Sequence, residues 1–129
     1  TERTRVSPLD GLLRKHGVEQ VDFVKLDAEG GEMDVLEGAA ETLDAIGAPI
    51  WMLEFSSEEA EGFEHDPAEL LEPFEAADEV NYRAYRIDSR ARRLRPLEVP
   101  ESGEFWFNAV FVPERRLDRI GECWLPKVA

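Results

Sequence analysis

Two apolar runs that each finish in a carboxylate, joined by an acidic glycine turn and a helical repeat, constrain this chain more than any other feature. Val21-Asp22-Phe23-Val24-Lys25-Leu26-Asp27 is rich in β-formers with apolar residues on both faces, the pattern of an internal parallel strand covered by helices. After the turn Asp27-Ala28-Glu29-Gly30-Gly31-Glu32, the positions Met33, Leu36, Ala39, Ala40, Leu43 and Ile46 recur at helical steps, which predicts one helix ending at Gly47. Ala48-Pro49 then introduces Ile50-Trp51-Met52-Leu53-Glu54-Phe55, a second buried-type strand. Strand, helix and strand with short connections make a right-handed βαβ unit with both strand ends on one edge of the sheet. Asp27 and Glu54 are therefore expected side by side.

Around that unit the signals are local. Ser7-Pro8-Leu9-Asp10 opens a helix, with Ser7 as cap, Pro8 at the first position, Asp10 on the dipole, and Leu9, Leu12 and Leu13 on one face up to Gly17. Asp66-Pro67-Ala68-Glu69 is a capping box for a helix that buries Leu70, Leu71, Phe74 and Ala77, kinked or shortened by Pro73. Asn81 to Ile87 reads as a strand and Asp88-Ser89 as a turn into Arg92 to Leu97, a small hairpin. Phe105 to Val112 is the last strand, closed by Pro113, with 114–129 as a tail.

The 129 residues leave room for one domain, and 43% hydrophobic with 34% charged content supports a folded core. With 15 Lys plus Arg against 29 Asp plus Glu, the net charge of −14 disfavours nucleic acid and anionic membrane as partners. Eleven of the acids fall between Glu54 and Glu79, where no Lys or Arg occurs, the composition of a solvated face. The one basic stretch, Arg83, Arg86, Arg90, Arg92, Arg93 and Arg95, is expected to pair with that acidic segment or with solvent. No apolar run approaches the ~20 residues of a membrane helix. Cys123 has no second cysteine for an internal disulfide, so a reducing, cytoplasmic setting is expected. Thr1-Glu2-Arg3-Thr4-Arg5 lacks an initiator Met and a signal peptide's apolar stretch, and is read as a cut or processed end.

Ligands of open α/β sheets bind beyond the carboxyl ends of the strands, which puts Asp27, Glu29, Gly30, Glu32 and Glu54 where a site is expected. Two readings of the acidic turn stand together. Glu29 and Glu32 satisfy the dipole of the helix that follows, or Asp27 with Glu54 shares a proton or holds a divalent cation. His16 beside a helix-ending glycine and His65 beside Asp66 read as structural, and Trp51, Trp106 and the neighbouring Phe residues as core.

The stretch Val21 to Glu32, followed by Val35-Leu36-Glu37-Gly38-Ala39 and Leu43, resembles the signature of FkbM-type methyltransferases. That signature runs as an apolar strand with Lys, apolar, Asp, any, Glu, Gly, any, Glu, then a helix with Val-Leu and Gly-Ala. Leu9-Asp10-Gly11-Leu12-Leu13 is similar to the family's upstream helix, Leu53-Glu54 to a strand end, and Asn108-Ala109-Val110-Phe111-Val112-Pro113 to its terminal strand. The resemblance covers about residues 7 to 113. It implies an α/β fold: part of a Rossmann-like methyltransferase sheet, with parallel strands, an antiparallel terminal strand and helices on both faces. It also implies S-adenosylmethionine as the cofactor of the complete domain, held largely by a first strand and glycine-rich loop. Those features are not among these residues, and Gly30-Gly31 follows a different strand. Residues 1–129 thus correspond to a single α/β unit, the carboxy-terminal half of such a domain, expected to bind the cofactor weakly or not at all by itself.

By the same resemblance the chain is part of an S-adenosylmethionine-dependent methyltransferase acting on a hydroxyl of a sugar or small metabolite. Asp27 or Glu29 would be the catalytic base or its orienter, Glu54 would shape the acceptor side, and Glu32 and Asn108 would face the substrate. The alternative is a non-catalytic, truncated module kept for association with another protein. A metal site of Asp27, Glu29 and Glu54 ranks below both, because no His or Cys accompanies them. A strand apolar on both faces makes a poor open edge, so Val21 to Asp27 is expected to recruit a cover. That cover is an upstream half-domain, a second copy in a homodimer, or the segment before Leu9 or after Pro113 folding back.

Overall fold

The structure, a computed structural model, describes residues 5–57 and 66–126. Five strands form one mixed sheet: β1 (Phe23–Leu26), β2 (Ile50–Ser56), β3 (Tyr82–Asp88), β4 (Arg93–Pro96) and β5 (Trp106–Pro113), in the order β1-β2-β5-β3-β4. β1 and β2 pair in parallel and every other pairing is antiparallel. The parallel pair, the reversed last strand and the β3–β4 hairpin all follow the sequence expectation. Because β5 inserts between β2 and β3 and runs against both, β1, β2 and β3 point the same way. Their carboxyl ends and the amino ends of β4 and β5 therefore share one rim.

The α-helices described, α1 (Leu9–Lys15), α2 (Glu32–Glu37), α3 (Ala40–Asp44) and α4 (Glu72–Ala76), all send apolar side chains to the same sheet face. There Trp51, Leu53 and Phe55 of β2 and Phe107, Ala109 and Phe111 of β5 meet Leu36, Leu43 and Phe74. Phe74 stacks on Phe111 with ring centroids 3.9 Å apart, and the Trp51 indole donates to the Tyr82 hydroxyl at 3.2 Å, which in turn donates to the Leu43 carbonyl at 2.7 Å. Against the expectation of helices on both faces, the α-helices among the described residues keep to this one. The opposite face carries Leu94, Val110 and Val112 and is covered by a 3-10 helix, Glu114–Arg119, and the segment after it, through Leu117, Ile120, Trp124 and Leu125. The Leu94 N–H donates to the Trp124 carbonyl at 2.6 Å, so the segment after Pro113 does fold back on the sheet. It leaves β1 at an open edge, with Phe23 49% exposed.

The single helix read from Met33 to Ile46 is two helices broken at Gly38-Ala39, and Ile46 is exposed. The break has a steric and a polar cause. A Cβ on Gly38 would lie 3.2 Å from the Pro8 backbone, and the Gly38 carbonyl accepts the Asp10 N–H at 3.0 Å. Asp10, in the first turn of α1 as expected, also caps α3: it accepts the N–H groups of Glu41 and Thr42 at 2.8 and 3.1 Å and the Thr42 hydroxyl at 2.5 Å. Both halves face one core, which is why the apolar spacing runs through the break. One smaller expectation changes as well: Pro8, not Ser7, occupies the α1 cap position with no side-chain bond. Pro73 is the second residue of the five-residue α4, which follows a 3-10 turn, Pro67–Leu71, so the helix is shortened rather than kinked.

Candidate active site

Leu53 and Phe55 point into the helix-side core, so Glu54 between them faces the other side of the sheet. The β2–β5 register sets Glu54 directly opposite Asn108 and Ser56 opposite Trp106. The Trp106 indole N–H donates to a Glu54 carboxylate oxygen at 2.7 Å. In the parallel register Leu26 stands beside Leu53, so Asp27, one residue past the end of β1, follows on the Glu54 side of the rim. Asp27, Glu54 and Asn108 thus form a row across three adjacent strand ends.

The turn beyond Asp27 is held in an unusual backbone. Glu29 has φ 49° and Gly30 φ 99°, both left-handed, and for Glu29 that conformation is strained. Glu32, only 3% exposed, fixes it: one carboxylate oxygen accepts the Ala28 N–H at 3.1 Å and the other the Gly30 N–H at 2.9 Å. The Gly31 N–H is bonded to the Ala28 carbonyl at 3.1 Å. Glu29 is left exposed at the tip. Of the residues singled out in the sequence, Glu54 and Asn108 are direct cross-strand partners, Asp27 follows β1 at the neighbouring strand end, Glu29 is exposed on the turn after it, and Glu32 has both oxygens engaged within that turn. Among the described residues no cluster of three acidic, His or Cys side chains is arranged to hold a metal.

Residues 1–87 of the 129 match the family described as Methyltransferase FkbM domain. The chain belongs to that family. No curated protein and no solved structure matches it. The FkbM match spans the acidic turn, α2, α3, β2 and nearly all of β3, and with it Asp27, Glu29, Glu32 and Glu54. Asn108 and Trp106 lie beyond it and join the site through sheet pairing alone. The family makes the chain a methyltransferase in general terms and implies a methyl-donor cofactor.

The N–H groups of Ala28, Gly30 and Gly31 are bonded within the FkbM turn, so these three donors are not open to a cofactor's anionic groups. Trp106, expected in the core, is 62% exposed on the rim, which corrects that reading. Its signal was present in the alternation of the last strand: Phe105 and Phe107 take one face, so Trp106 shares the other with Asn108. The basic stretch divides. Arg83 pairs with Glu114 at 3.3 Å and Arg95 with Asp88 at 2.6 Å. Asp88 is held below the usual carboxylate range, first by the Ala91 N–H and then by Arg95. His65 and the acids among residues 58–65 lie outside the described residues. No described helix is long and apolar enough to cross a membrane.

Proposed function

We propose that this FkbM-family chain is the carboxy-terminal part of a Rossmann-like, S-adenosylmethionine-dependent methyltransferase that methylates a hydroxyl of a sugar or small metabolite in the cytoplasm. The observation that carries this reading is the row of Asp27, Glu54 and Asn108 at the strand ends of a methyltransferase-family domain. S-adenosylmethionine would supply an electrophilic methyl group. This chain's part is to place the acceptor oxygen and take its proton, the two contributions from which methyl transfer gains most. Asp27, exposed at the rim, is the base, and Glu29 on the strained turn next to it orients the hydroxyl. Glu54 is fixed by the Trp106 indole and Asn108 offers both a donor and an acceptor, so this pair grips neighbouring hydroxyls. Glu32 serves the substrate indirectly, by holding the turn. The remaining cofactor contacts belong to the rest of the complete domain.

The test is methyl transfer from labelled S-adenosylmethionine by the complete domain. Asp27→Asn keeps the shape and removes the base, and turnover should fall ~10²-fold or more with folding intact. Unchanged turnover would assign Asp27 to structure. The open edge of β1 favours a second reading, a non-catalytic module that associates with an upstream half-domain or another partner.

A further inference from the structure

A groove of about 680 Å³ opens on the rim between the β3–β4 hairpin and the start of β5. Its walls include Arg86, Arg90 and Arg95 from the hairpin and Trp106 and Asn108 from β5, the same two residues that contact or face Glu54. The groove lies where the end of β3 parts from the start of β5: Trp106 and Asn108 border it on the Glu54 face, and Arg86, opposite Ala109 and stacked on Phe107, borders it on the helix-side face. We propose that it is a subsite for an anionic group, a carboxylate or phosphate, carried by the same small molecule whose hydroxyl lies at Asp27 and Glu54. The assignment of that hydroxyl rests on the methyltransferase reading, whereas the binding of the anion does not.

Charge and geometry both support it. Seven of the eleven described arginines form no ion pair with another described residue, and two of them, Arg86 and Arg90, line this groove together. The Arg86 guanidinium lies over the Phe107 ring, 4.7 Å from its centroid, and neither it nor Arg90 has an ion-pair partner among the described residues. Stacking occupies the flat face of a guanidinium and leaves the N–H groups on its edge free, the arrangement that takes a carboxylate or phosphate in a fork. Asp88, which would repel an anion, is neutralised by Arg95. Glu98 also lines the groove, one carboxylate against two unpaired guanidinium groups. The volume lies within the range of small-ligand sites and accommodates a monosaccharide with its charged substituent.

The experiment is a titration of the 129-residue chain followed by the indole N–H resonance of Trp106, assigned with Trp106→Phe. Glucuronate and glucose 6-phosphate represent the two anions, and glucose is the neutral control. Saturable shifts with both anions, none with glucose over the same range, and about tenfold weaker binding in Arg90→Gln are expected. Arg90 lies on an exposed turn and its loss removes no packed contact. Equal response to glucose, no response to any of the three, or affinity unchanged in both Arg86→Gln and Arg90→Gln would overturn the proposal. No methyl donor enters this measurement, so the two readings fail separately. Anion binding without methyl transfer by the complete domain counts against the methyltransferase reading alone, and methyl transfer without selective anion binding counts against the subsite alone.

Discussion

Arg116 donates from its guanidinium to the Ala48 carbonyl at 2.7 Å, a bond between residues 68 apart in the chain. The same buried group reaches the Gly47 carbonyl at 3.2 Å, the Val21 carbonyl at 3.5 Å and the Asp22 carboxylate at 3.3 Å. One side chain thus ties the entrances of β1 and β2 together at the end of the sheet opposite the rim. Arg116→Met should cost about 2–4 kcal/mol in urea denaturation, because buried carbonyls lose their donors. Arg116→Lys should recover only part of it, since a compact ammonium does not span acceptors that a planar fork reaches.

Glu32 presents the corresponding case at the rim. Replacing it with Ala strips the acceptors from the Ala28 and Gly30 N–H groups and should destabilise the fold by about 1–3 kcal/mol. Amide hydrogen exchange should quicken at Ala28 and Gly30 before it does so elsewhere. Protection unchanged at both positions would show that the turn keeps its shape without the carboxylate.

Tyr82 gives the fold an alkaline limit. Burial, partly offset by the hydrogen bond from Trp51, pushes its hydroxyl from the ordinary 10.0 up to about 12. The folded state therefore favours the neutral phenol. That contribution is complete below the unfolded value of 10.0 and is lost as pH rises toward 12. Denaturation followed across that window should show stability falling in the native chain and falling less in Tyr82→Phe. Parallel slopes for the two proteins would remove Tyr82 as the cause.

The open edge of β1 makes a prediction about association. Phe23 lies in an apolar groove of about 350 Å³ with Ile50, Met52, Ile120 and Trp124, beside a strand edge that pairs with nothing among the described residues. Sedimentation over a concentration series should show self-association that strengthens with salt, as screening weakens the repulsion of a −14 chain. Phe23→Lys should shift the series toward monomer. A monomer at every concentration would mean that the fold-back of the segment after Pro113 is cover enough.

The βαβ unit and its carboxylate row were legible because they depend on local order: β-rich runs, a helical repeat and the handedness of the crossover place Asp27 beside Glu54 without further information. The break at Gly38 was not legible, since its cause is Pro8 and Asp10 arriving from thirty residues upstream, and the apolar period continues undisturbed across it. Trp106 was misread for a related reason. Whether a tryptophan in a strand is buried depends on what covers its face, and the cover here is a 3-10 helix that stops short of the rim. The role of Glu32 was half visible, because an acid at a helix start announces a dipole partner but not the reach of its oxygens back to the turn. The arginine groove required the β3–β4 hairpin to be laid beside β5, a pairing that no local pattern specifies.

The strand at the centre of the sheet is also the last of the described strands, and this sets the order in which the sheet is completed. β5 separates β2 from β3, so until it is synthesised those two have no ladder between them, and β1 with β2 is only a two-stranded parallel ribbon. Such contacts close long loops and are slow to form. On the ribosome, the acidic turn and the strand ends that frame it remain unassembled while the aromatic faces of β2 stay uncovered. Until Trp106 to Pro113 arrives, the surplus of negative charge is what opposes contact between emerging chains.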